Sequence, residues 1–138
     1  MIRLLPRVLA VLALTGLALA HPLSGDGPVS GELKWGNSDI PIANKRLQGY
    51  LNFVSVNGLN VNLLDCFCRM LAYQGQASAQ ARPDVSVTFT PNPTTGRVES
   101  LVVFPKPGPY MVVVMGRALP GKNLPAFILT AIIVVEPG

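Results

Sequence analysis

Cys66-Phe67-Cys68 is where residue type and spacing point most directly to chemistry. In an extended segment successive side chains alternate between faces. Cys66 and Cys68 then point the same way, with Met70 and Ala72 beyond them, while Phe67, Arg69, Leu71 and Tyr73 face the other way. Two such cysteines lie about 6–7 Å apart along the strand, whereas a disulfide needs β-carbons about 3.5–4.5 Å apart. Closing the bond therefore requires a bend and gives a strained, more reducible disulfide. Left reduced, two thiolates on one face suit a soft ion such as Cu(I) or Zn. Met70 on the cysteine face and Met111 on a later strand supply thioethers of the kind Cu(I) accepts, so Cys66, Cys68, Met70 and Met111 form a candidate copper set. The competing expectation is structural: two small buried hydrophobes or one local disulfide, with the methionines filling gaps in a core. A helix over the same residues would set the sulfurs about 200° apart around its axis, allowing neither bond nor shared metal.

Other chemistry finds little support. His21 is the single histidine, so no Ser-His-Asp or Cys-His arrangement is available to activate a nucleophile. As a mature N-terminus His21 would offer an α-amine and an imidazole to Cu(II), but Pro22 removes the next amide N–H and there is no second histidine. The seven Asp and Glu are isolated in sequence, and neither a phosphate loop nor an H-E-x-x-H zinc motif occurs. The expectation is a protein that is not an enzyme and carries no cofactor, copper being the alternative.

Any such site must be held by a chain of 138 residues, 49% of them hydrophobic and 13% charged, which suits one domain with a real core and excludes a disordered polymer. The start reads as an export signal: Arg3 and Arg7, an apolar run over 8–20, then Ala18-Leu19-Ala20 in the small-x-small pattern that signal peptidases accept. The run is shorter than the roughly 20 residues needed to cross a bilayer, so cleavage before His21 and no remaining membrane span are expected. Without the leader, nine Lys and Arg face seven Asp and Glu, and only Lys45 and Arg46 are adjacent. Nucleic-acid binding needs clustered cations, so it is not expected.

Gly and Pro clusters near 25–28, 36–41, 91–96, 105–109 and 116–125 divide the mature chain into short runs rich in Val, Ile, Phe and Tyr. Strands are expected at 30–35, 47–56, 85–90, 98–104, 110–116 and 127–135. Within 47–56, Leu47, Gly49, Leu51, Phe53 and Ser55 would share a face, and Asn57-Gly58 would turn a hairpin into 59–64. The unbroken apolar runs at 112–114 and 132–135 suggest strands covered on both sides. Residues 62–74 fit either a helix with Leu63, Leu64, Phe67 and Leu71 on one side or, preferably, a strand; 74–84 reads as a loop. The fold class expected is all-β: an Ig-like antiparallel sandwich of seven to eight strands over 29–138, preceded by a signal peptide at 1–20 and a flexible tail at 21–28.

The segment Phe104-Pro105-Lys106-Pro107-Gly108-Pro109-Tyr110-Met111-Val112-Val113-Val114 resembles the proline-glycine-tyrosine entry to a late strand in bacterial exported Ig-like domains. It is similar to the YtkA/FixH-like group, and Val29-Ser30-Gly31 resembles, more distantly, the strand opening of prealbumin-like domains. The resemblance implies a β-sandwich at the cell envelope and transfers no catalytic residue. The function expected is therefore a secreted or periplasmic, non-catalytic Ig-like interaction module whose partner is an envelope protein or a surface ligand. The alternative is periplasmic Cu(I) handling through Cys66 and Cys68.

Overall fold

A computed structural model describes residues 21–36, 40–75 and 81–138. The expected leader at 1–20 lies outside these residues. Ten strands follow in chain order: β1 (His21–Ser24), β2 (Val29–Trp35), β3 (Leu47–Val56), β4 (Leu59–Asn60), β5 (Cys66–Tyr73), β6 (Val85–Thr88), β7 (Thr90–Asn92), β8 (Arg97–Val102), β9 (Gly108–Ala118) and β10 (Phe127–Val135). One 3₁₀ turn, Leu63–Asp65, precedes β5. The strand preferred for the ambiguous stretch is thus correct from Cys66 onward, whereas His21–Ser24, expected as a tail, pairs with both β2 and β10.

The Ig-like sandwich is overturned. Every strand belongs to one sheet, ordered β6-β5-β9-β10-β1-β2-β3-β8-β7 with β4 on β3, and that sheet curls until it almost closes into a barrel. A sandwich needs two separate hydrogen-bonded layers; here β1 bridges β10 to β2 and joins what would have been two sheets. At the other side the chain itself makes the seam. Residues 85–92 leave β5 as β6 and join β8 as β7, and between them the buried Phe89 donates its N–H to the Cys68 carbonyl at 2.9 Å. Pro91 is tolerated in β7 because that strand pairs on one side only.

Local sequence explains most boundaries. Asn57 and Gly58 have φ of 55° and 82° and connect β3 to β4 through a two-residue turn, with Val56 opposite Leu59. The alternation expected along 47–56 holds from Leu47 to Leu51 and then slips. Pairing passes from Leu33–Leu51 to Glu32–Phe53, leaving Asn52 as a bulge, so Val54 rather than Phe53 enters the core. Asn52 donates to the Glu32 carboxylate at 2.9 Å.

The interior is apolar. Leu33, Leu51, Met70, Phe104, Tyr110, Leu129 and Ile133 are fully buried. Trp35 and Phe104 meet edge to face with ring centroids 5.6 Å apart, and Phe104 packs tilted on Tyr110 at 5.0 Å. The Tyr110 hydroxyl donates to the Lys106 carbonyl at 2.7 Å and accepts from the Lys106 N–H, so the one polar atom of this ring is satisfied as it is buried.

Candidate functional site

The cysteines do share a face. Cys66, Cys68, Met70 and Ala72 all point into the core, as the period of two requires. They are joined, however, as a Cys66–Cys68 disulfide whose α-carbons are 5.4 Å apart. That is shorter than the 6–7 Å of a fully extended pair and inside the range a disulfide spans. The bond fills a tight corner. Gly116 is paired with both Cys68 and Phe127, and a β-carbon there would clash with the edge of the Phe127 ring and lie 2.9 Å from Cys66 Sγ. Disulfide sulfurs are not thiolate donors, so the Cu(I) site on Cys66 and Cys68 is overturned. Met70 is buried beside them, but Met111 stands on the opposite side of the sheet, where it pairs with Tyr73 and Ile132. Among the described residues no three of His, Cys, Asp and Glu converge to hold a cation.

A concavity lies on the outer surface of the same strands. It is an open groove of about 840 Å³ between β5 and the turn that joins β1 to β2, a volume typical of small-molecule sites. Its floor is apolar: Phe67 from β5, Met115 from β9 and Ile128 from β10. The far wall is Ser24, Gly25, Asp26 and Val29. Gly25 lets this turn lie close over β10, since a β-carbon there would strike the Ile128 carbonyl.

Two cations face the floor. Arg69 pairs across from Met115, and Phe67 pairs across from Arg117, which makes the arginines diagonal neighbours on adjacent strands, about 7–8 Å apart at the backbone. The Arg117 guanidinium sits 4.8 Å from the centroid of the Phe67 ring, a cation–π contact that orients it. Arg69 Nη2 donates to Ser86 Oγ at 3.3 Å, which holds it from the β6 side. Among the described residues the ion pairs are Lys34–Glu32 and Lys122–Asp65, so neither arginine has a carboxylate partner. Among the described residues Asp26 is the only acid lining the groove.

Arg69, Arg117, Phe67 and Asp26 were not singled out by sequence. The usable signal was weak: one arginine on the outward face of each of two otherwise apolar strands. That β5 and β9 would be neighbours, bringing the two together, is a long-range pairing that spacing along the chain does not reveal. No family model matches the chain, and no curated protein or solved structure matches it. The resemblance to the YtkA/FixH-like group and to prealbumin-like domains is therefore withdrawn: no match supports it, and the continuous sheet contradicts the sandwich it implied.

Proposed function

We propose that this protein is an exported, non-catalytic carrier or sensor that binds a small monoanion with an apolar body in the groove over β1, β5, β9 and β10. The observation that carries this is the pair of guanidiniums without carboxylate partners, aimed over an apolar floor. Guanidinium donors suit carboxylate and sulfonate groups, and hydrogen bonds to a charged group are the stronger kind. Asp26 on the opposite wall leaves a net charge of about +1, which favours one negative charge over several. Export is supported by the leader pattern of 1–20 and by a cystine of the sort that persists in oxidising compartments.

The test is a fluorescence titration with 1-anilinonaphthalene-8-sulfonate, an aromatic monoanion, on the folded, disulfide-intact protein. Saturable binding to one site is expected. Arg69→Gln and Arg117→Gln should each weaken it about tenfold, the value of one charged hydrogen bond, while Lys34→Gln should leave it unchanged. Equal affinity in both arginine variants and the parent would refute the groove as the site. Near-ultraviolet circular dichroism confirms that the dye is not reporting a loosened core.

A further inference from the structure

The groove does not end at its rim. Along β10 the outward residues are Ile128, Thr130, Ile132 and Val134, and along β9 they are Met115, Val113 and Met111, paired rung by rung with the first three. The Ile128, Ile132 and Val134 side chains are 60%, 61% and 56% exposed. Such exposure is unexpected for a run this apolar, because continuous apolar strands are normally covered on both faces. No charge interrupts the outward positions of either strand between Arg117 and Glu136. The surface is thus polarised: an arginine pair at one end and an uncharged apolar stripe leading away from it.

We infer that the stripe seats the hydrocarbon tail of a single-chain carboxylate whose head is held by Arg69 and Arg117. This rests on the groove being an anion site and names the class of anion. A strand rise of about 3.4 Å per residue puts Ile132 about 14 Å beyond Ile128. An extended acyl chain advances about 1.3 Å per carbon, so a twelve-carbon tail reaches Ile132 and an eight-carbon tail stops short of it. The charge asymmetry decides the occupant. A second copy of the chain would have to place its own arginines or apolar stripe against this one, whereas an amphiphile matches both ends at once.

Displacement of 1-anilinonaphthalene-8-sulfonate by octanoate and dodecanoate, both below their micelle concentrations, tests the assignment. Fully burying a methylene changes a binding constant about fourfold, and an open face covers roughly half of it, so about twofold per carbon is expected. Dodecanoate should then bind about 16-fold more tightly than octanoate. Ile132→Ser should cut this gain to about threefold or less without altering octanoate affinity, because that side chain points outward and lies beyond the shorter tail. Equal affinities for the two acids, or a full gain retained in Ile132→Ser, overturns the inference while leaving the anion site standing. A parent protein that sediments as a dimer, with Ile132→Ser monomeric, also overturns it and assigns the stripe to a second copy. If neither acid displaces the dye although the dye binds through the arginines, the carboxylate class is wrong; if the dye does not bind, the anion site itself fails.

Discussion

Cys66 and Cys68 close a ring that spans a single intervening residue, Phe67, and the same three positions serve two surfaces. The sulfurs face the core, while the Phe67 ring faces the groove and carries Arg117. A cross-link over so short a loop removes little freedom from the unfolded chain, about 1.5 kcal/mol by loop entropy. Its contribution is therefore modest packing in the corner under Gly116 and Phe127 rather than a large global clamp. Cys66→Ala/Cys68→Ala should fold and lose about 1–3 kcal/mol in chemical denaturation. The sulfurs are bonded to each other, so the parent unfolded without reductant should take up no iodoacetamide by intact mass, and two labels once it is reduced. Uptake of two labels by unfolded, unreduced protein would mean that the pair exists as thiols and would reopen the metal question. The shared face of these cysteines was legible from period two alone. Their oxidation was not, because it turns on a local shortening of the strand to 5.4 Å that a uniform rise per residue does not contain.

At the scale of elements, the strands and their turns were legible because Gly and Pro punctuate them, and Asn57-Gly58 even fixed a hairpin. Which side of a strand meets water was harder. The apolar runs at 112–114 and 132–135 look doubly covered by composition, yet the buried positions alternate: Tyr110, Val112, Val114 and Gly116 along β9, and Phe127, Leu129, Ile133 and Val135 along β10, while Met111, Val113 and Met115 are half-buried and Ile128, Ile132 and Val134 exposed. The bulge at Asn52 likewise reversed the inward side halfway along β3, which no alternation rule anticipates. The β6–β7 segment shows a third limit. It reads as one strand, but it pairs with β5 before Phe89 and with β8 after it, so a single side chain sits at the seam. Phe89→Ala removes a buried ring there and should cost about 3–5 kcal/mol. A loss under 1 kcal/mol in urea unfolding would show that the seam is not packed on Phe89.

For the whole molecule, the difference between two stacked layers and one curled sheet is a matter of how the ends meet. Composition and hydropathy are the same for both, which is why sequence led to an Ig-like sandwich. The deciding contacts are the β1 pairing to β10 and β2 on one side and the crossing of 85–92 on the other. These two joints are unequal. On the first side β9 is laddered along nearly its full length by both β5 and β10, and β1 joins β10 at the registered pair Ser24–Thr130. At the seam β6 and β7 are each paired on one side only, and β6 lies beside β8 without a ladder between them. Amides open at a free energy set by the contacts that must break, so the two regions should exchange with solvent by different routes. In native-state hydrogen exchange followed by NMR, Val112 and Val114 should exchange only on global unfolding. Ser86 to Asn92 should exchange at least about 100-fold faster through local opening of the seam, with a smaller dependence on denaturant. Protection of β6 and β7 equal to that of β9 would mean that the two ends are bonded to each other and that the barrel is fully closed. The predicted gradient also keeps the groove on the rigid side of the molecule. Arg69 and Arg117 stand on β5 and β9, so opening at β6 would release the Ser86 contact of Arg69 while the stacking of Arg117 on Phe67 persists.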